Sequence, residues 1–198
     1  MNIERIIGGS IEANGYILYH KDGTDAYVVD PGFSHKKYLA FTAERGLRVH
    51  GILLTHHHYD HTDKADILRN EWDCPVYMHR EDLPYYKGMV DIVLEGGETL
   101  TLGGETITVL HTPGHTGGGV CFYAERSKVV FTGDTVFNVD LGRTDLPGGS
   151  AARMRDSLVG VVDRWSNDIT IYPGHGDPCT MKYVREVNSE YIEMVSAV

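Results

Sequence analysis

Cysteine is scarce and badly placed for bridging. Cys74, Cys121 and Cys179 are odd in number, widely spaced and form no C-x-x-C pair. That disfavours a disulfide framework and suits a reducing compartment, so a cytoplasmic location is expected. Basic residues are in deficit too: 18 Lys and Arg against 28 Asp and Glu leave a formal net charge of −10. This balance argues against non-specific nucleic-acid binding, and any anionic substrate would need a local basic group. No apolar run approaches the roughly 20 residues of a membrane span. The start, Met1-Asn2-Ile3-Glu4-Arg5, lacks a basic region followed by an apolar core, so no signal peptide is expected. The expected partner is a small molecule, with no nucleic acid and no membrane.

The chain has length and histidine. Its 198 residues are enough for one domain with a real core, and no composition shift or linker divides them. Directly after the apolar run Gly51-Ile52-Leu53-Leu54 comes Thr55-His56-His57-His58-Tyr59-Asp60-His61. Imidazole and carboxylate are the usual ligands of zinc and other first-row metals. Residues two apart in an extended segment point the same way, so His56 and His58 can share one ion. Asp60 and His61 follow as the chain turns into a helix, and can face a second.

Hydrophobic patterning predicts short strands at Ile3 to Ile7, Tyr16 to Tyr19 and Ala26 to Val29, with turns at Gly8-Gly9, Asn14-Gly15 and Lys21-Asp22-Gly23. A helix is expected from Ser34, as N-cap, to Arg45, with Gly46 past its end. Val49 to Leu54 reads as the strand that delivers the histidines. A helix over Asp63 to Asn70 and a strand over Pro75 to Met78 follow. The aromatic segment Leu83-Pro84-Tyr85-Tyr86-Lys87-Gly88 reads as a loop packed on the surface rather than a substrate-cleft wall. Residues 96–102 nearly repeat as 103–109. Two copies are too few for a solenoid, and Gly103-Gly104 between them predicts a hairpin with one buried face. Val120 to Tyr123, Val129 to Thr132 and Ile169 to Tyr172 read as strands. Helices are expected over Ser150 to Trp165 and Thr180 to Val198.

Three later loops repeat the arrangement of the first. Apolar strands run into Pro113-Gly114-His115, into Gly133-Asp134 and into Pro173-Gly174-His175. One such histidine means little. Four loops, each placing a ligand just past a strand, would converge if those strand ends share one edge.

Taken together, His56-x-His58-x-Asp60-His61, His115, Asp134 and His175, with Asp30-Pro31-Gly32 upstream, resemble the metallo-β-lactamase superfamily. Gly142-Arg143-Thr144-Asp145-Leu146-Pro147-Gly148-Gly149 and Tyr172-Pro173-Gly174-His175-Gly176 look like the glyoxalase II-like hydrolases, in the short bacterial form without a helical carboxyl-terminal domain. The resemblance implies an α/β fold, an αββα four-layer sandwich with its metals at one edge. It implies two divalent ions, zinc first with iron or manganese as substitutes. His56, His58 and His115 would hold one ion and Asp60, His61 and His175 the other, with Asp134 bridging them.

Two ions about 3.5–4 Å apart can share a bridging water and bring its pKa toward 7, giving a hydroxide that attacks a thioester carbonyl. Asp60 can orient that hydroxide while ligating. A thiolate leaving group needs no strong acid, since thiols ionise near pH 8.5, roughly. The expected activity is therefore hydrolysis of hydroxyacylglutathione-type thioesters, S-D-lactoylglutathione giving D-lactate and glutathione. Another small ester or thioester is an alternative substrate. Arg143 is the candidate basic group for substrate binding, weighed equally against an internal salt bridge with Asp145. Gly117-Gly118-Gly119 lacks the pattern of a phosphate cradle and reads as close turn packing. His20, His35, His50, His57, His79 and His111 read as surface or structural. The main rival is a persulfide dioxygenase, which shares the fold and would use one iron held by His56, His58 and His115 or Asp134. A β-lactamase is disfavoured because the common dizinc forms place a cysteine among their ligands, and none of the three cysteines sits there.

Overall fold

The computed structural model describes residues 1–196. The first half of the chain forms β1 (Asn2–Gly8), β2 (Ala13–Tyr19), β3 (Asp25–Val29), α1 (His35–Glu44), β4 (Arg48–Leu53), α2 (Tyr59–Thr62), α3 (Ala65–Trp72), β5 (Val76–His79) and β6 (Ile92–Leu94). Its six strands make one sheet in sequence order, antiparallel from β1 to β3 and parallel from β3 to β6. The second half adds β7 (Thr99–Leu102), β8 (Glu105–His111), β9 (Val120–Ala124), β10 (Val129–Gly133), α4 (Ala151–Gly160), β11 (Thr170–Pro173), β12 (Cys179–Thr180), α5 (Met181–Val187) and α6 (Ser189–Ser196). These strands form the second sheet, ordered β12-β11-β10-β9-β8-β7.

The period of two along each strand explains the layering. In β2, Tyr16 and Leu18 face the space between the sheets while Ile17 faces outward. In β4, Leu53 points inward, and Ile52 and its neighbour Leu54 point outward to meet Tyr38 of α1 and Leu68 of α3. In β10, Val129 and Phe131 enter the central layer, and Val130 meets Met154 and Leu158 of α4 and Met181 of α5. The central core therefore lies between sheets, flanked by a helical layer on each side. This is the expected αββα sandwich. Strands with both faces buried read as continuous apolar runs, as in Gly51-Ile52-Leu53-Leu54.

Several local expectations change. Asn14-Gly15 lies inside β2; the hairpin turn sits at residues 9–12, where Gly9 and Glu12 have positive φ. Asn14 is buried, and its side-chain amide donates to the Pro173 and Gly176 carbonyls at 2.9 and 2.8 Å, which a turn residue would not do. Ser34 stands at the N-cap of α1 but has φ 57° and makes no capping hydrogen bond. Ser150 does cap α4, accepting from the Arg153 N–H at 3.3 Å. That helix ends at Gly160, and a separate 3₁₀ turn covers Val162–Arg164. The expected final helix is two helices broken at Asn188; its expected end at Val198 lies outside the described residues. The Gly103-Gly104 hairpin is present, with Leu102 opposite Glu105 and both glycines at positive φ. Cys74, Cys121 and Cys179 are all free. No helix among the described residues is long and apolar enough to cross a membrane.

Candidate metal centre

The four loops do share an edge. The histidine loop leaves β4, His115 follows β8, Asp134 follows β10 and His175 follows β11. β10 and β11 are parallel neighbours, so Asp134 and His175 leave the second sheet side by side. Their donor atoms converge. His58 Nδ1 and His115 Nε2 are 2.8 Å apart. Asp134 reaches both halves of the cluster: Oδ2 lies 3.4 Å from His115 Nε2 and 3.9 Å from His56 Nε2, while Oδ1 lies 3.4 Å from His61 Nε2. Asp60 Oδ2 lies 3.1 Å from His61 Nε2 and 3.2 Å from His175 Nε2. His56, His58 and His115 thus form one compact donor group, and Asp60, His61 and His175 another.

The chemistry of these donors fits divalent cations. His56 Nε2 and Asp134 Oδ1 are buried with no hydrogen-bond partner, which is costly unless something else satisfies them. Outer partners also fix which nitrogen faces the centre. His115 Nδ1 donates to the Arg143 carbonyl at 2.7 Å, and His175 Nδ1 to the Ile11 carbonyl at 3.1 Å. The Thr55 hydroxyl donates to Asp30 Oδ2 at 2.5 Å and lies 3.0 Å from His56 Nδ1, so it accepts from that nitrogen. Asp30 Oδ2 lies 3.4 Å from His61 Nδ1. In all four rings Nε2 is left to face the cluster. Backbone approaches are close: a Cβ at Gly174 would strike Asp134 Oδ1 and come within 2.8 Å of the His61 ring.

Protonation differs between the two groups. Burial, and then the neighbouring imidazoles, push His56 well below the ordinary histidine value and His58 down to about 4. Burial acts downward on His61 and His175 as well, but the carboxylates around them prevail: Asp134, Asp30 and Asp60 for His61, and Asp60 and Asp134 for His175. Both are raised. Burial would raise Asp60, yet contacts from His175 and His61 hold it well below the usual carboxylate range. Two imidazoles held neutral and a carboxylate held charged are what a dication requires.

Two clefts open beside the cluster. One, of about 460 Å³, is bounded by His57, His58, Tyr59, Tyr85, Tyr86 and Lys87. The aromatic loop expected to pack on the surface therefore walls a cleft, with Tyr85 stacked on His57 at 4.9 Å. It does so because the 3₁₀ turn Arg80–Asp82 carries the chain back toward the histidine loop. The other cleft, of about 450 Å³, is bounded by His115, Asp134, Phe137, Val139, Arg143 and His175. Arg143 borders it, but its guanidinium makes two 2.7 Å hydrogen bonds to Asp145. Gly117-Gly118-Gly119 is a tight turn, where a Cβ at Gly118 would lie 2.8 Å from the Asp82 carboxyl carbon. His57 Nδ1 lies 3.0 Å from Asp82 Oδ2, and His79 and His111 stack at 3.9 Å.

Asp30 enters the sequence analysis only within the Asp30-Pro31-Gly32 resemblance, and Thr55 and Asp82 are given no role there. Asp30 takes its part in the centre from its conformation and burial. Its signal is the positive φ of 48° in a buried acid, which no sequence displays. Asp82 sits in the charged run Arg80-Glu81-Asp82, where nothing in the sequence sets it apart.

Fold and donor set define a metal-dependent hydrolase class. The chain belongs to the metallo-beta-lactamase superfamily, whose family model matches residues 11–175. The probable metallo-hydrolase YqgX of Bacillus subtilis is 32% identical, over 89% of this chain and 90% of its own length. The probable polyketide biosynthesis zinc-dependent hydrolase PksB of the same organism is 35% identical, over 81% of this chain and 71% of its own. Among solved structures, BLEG-1 B3 metallo-beta-lactamase superposes with a TM-score of 0.89 at 29% identity, covering 95% of this chain and 98% of that one. TTHA1623 in a di-iron-bound form superposes with a TM-score of 0.84 at 31% identity, covering 94% and 98%.

Proposed function

We propose that the protein is a thioesterase of the glyoxalase II-like type, acting on hydroxyacylglutathione thioesters such as S-D-lactoylglutathione. His56, His58 and His115 would hold one divalent ion and Asp60, His61 and His175 the other, with Asp134, which reaches both groups, serving each. The observation that carries the reading is the position of Asp134, whose carboxylate lies 3.4 Å from both His115 Nε2 and His61 Nε2. When bound, a pair of divalent ions supplies an activated water at neutral pH and polarises a carbonyl. Asp60 keeps its charge over the whole physiological range and faces the same space, so it orients the attacking water. One cleft is bounded by His58 and the other by His115, Asp134 and His175, room for an acyl group in one and its thiol in the other. A thiolate departs without a strong acid, which suits a centre built of metal ligands alone. Zinc is the proposed metal, in line with the zinc-dependent relative; the di-iron form of a similar chain supports iron as a substitute.

The test is steady-state kinetics on S-D-lactoylglutathione and a panel of other thioesters, using protein of measured metal content. Hydrolysis of the glutathione thioester at enzymatic rates is expected, with Asp134→Ala reducing it to background. Preference for another thioester would move the substrate and keep the chemistry. Oxygen uptake on glutathione persulfide with one iron per chain would contradict the reading.

A further inference from the structure

We infer that Asp82 is a positioning residue that sets the His56, His58 and His115 group as a unit. The inference rests on the two-ion reading of the centre and not on the identity of the thioester.

Asp82 closes the 3₁₀ turn after β5 and is completely buried. A buried carboxylate is tolerated only where its lone pairs are met. Here they are met by two loops far apart in sequence. Oδ2 accepts from the His57 N–H at 2.9 Å and from the Thr116 hydroxyl at 2.9 Å, and Oδ1 accepts from the Gly118 N–H at 2.7 Å. The His57 ring adds Nδ1 at 3.0 Å from Oδ2. His57 stands between His56 and His58, and Thr116 follows His115 directly. Each of the three ligands in this group is thus one residue from a group held by the same carboxylate. Asp82 makes no such contact to the second group, where Asp30, which also reaches His56 through Thr55, lies 3.4 Å from His61 Nδ1 and the Ile11 carbonyl meets His175. Gly118 presses its backbone against Asp82 so closely that a Cβ would lie 2.7 Å from the Asp82 nitrogen. The turn glycine and the buried acid therefore form one joint, and the joint fixes the 2.8 Å approach of His58 to His115.

An asparagine at this position keeps the shape but turns an N–H₂ toward donors. One donor loses its acceptor, and the two loops separate. Outer partners of ligands typically change metal affinity by about 10–100-fold, and that range is expected for Asp82→Asn.

The experiment is a cobalt(II) titration of the metal-free full chain, followed by visible absorption and by chelator competition. Wild type is expected to take two equivalents with separable affinities. Asp82→Asn should weaken one class about 10–100-fold and change its ligand-field bands, leaving the other in place. Thr116→Val, which removes one donor without changing shape, should give a smaller loss of the same class, and Thr116→Ser should restore it. Glu105→Gln serves as the control. Glu105 is also a buried acid, hydrogen-bonded to Ser127, but lies outside the centre. It should lower the melting temperature without moving either cobalt affinity. If Asp82→Asn or Thr116→Val weakens both classes equally, or neither, the inference is overturned. A wild type that takes one cobalt overturns the two-ion reading instead, and the inference with it.

Discussion

Two kinds of residue make this centre, and only one was legible in the chain. The ligands show because imidazole and carboxylate at His-x-His-x-Asp-His spacing, repeated after later strands, have few other uses. Their partners do not show, because what makes Asp30 or Asp82 important is burial, a property of the assembled fold. The ligands also divide by proton affinity. A raised pKa means the proton is held over a wider range, so at His61 and His175 protons compete with any bound ion for the ring nitrogen. His56 and His58 are lowered and offer bare nitrogen well into acid. As the pH falls through the ordinary histidine range, about 6.5, the ion at Asp60, His61 and His175 should leave first. Metal content measured after equilibrium dialysis at descending pH should fall in two steps. A single concerted loss of both ions would refute this order.

At the scale of elements, strands and the Gly103-Gly104 hairpin followed from apolar alternation and turn chemistry. Helix ends followed less well. Ser34 and Ser150 look alike in sequence, yet only Ser150 has the extended backbone that lets its hydroxyl meet an N–H. Replacing Ser150 with Ala should cost about 1 kcal/mol in urea unfolding, whereas Ser34→Ala should cost far less. The break at Asn188 has a weak sequence signal, the preference of asparagine for helix starts: its Oδ1 accepts from the Tyr191 N–H at 2.9 Å. Its cause is tertiary: the wholly buried Asn188 amide donates to the Phe137 and Asp140 carbonyls at 3.2 and 2.7 Å. Phe137 and Asp140 belong to the loop that bounds the second cleft. Asn188→Ala takes the donor from the buried Phe137 carbonyl and leaves the Asp140 carbonyl with the Phe137 N–H alone, at 3.0 Å, a loss of about 1–3 kcal/mol at most. It should also raise KM for the thioester more than it lowers kcat, since the loop borders the cleft and supplies no ligand. A variant with unchanged KM would show the loop to be held by other contacts.

Across the whole molecule, both sheets contribute to one edge: the first supplies His56, His58, Asp60 and His61, and the second His115, Asp134 and His175. The αββα layering was legible because the chain resembles a known superfamily, and the buried runs agree with it. The choice of substrate was not legible, since the cleft walls come from Tyr85, Lys87, Phe137 and Val139, which alternation and motif spacing do not single out. The account stands or falls on two ions acting together under Asp134. The direct measurement is thioester hydrolysis by the metal-free protein as zinc is added back, with bound metal counted at each point. The rate should climb steeply only as the second equivalent binds and then level off at two per chain. Full activity at one ion per chain, with no further gain from a second, would contradict it.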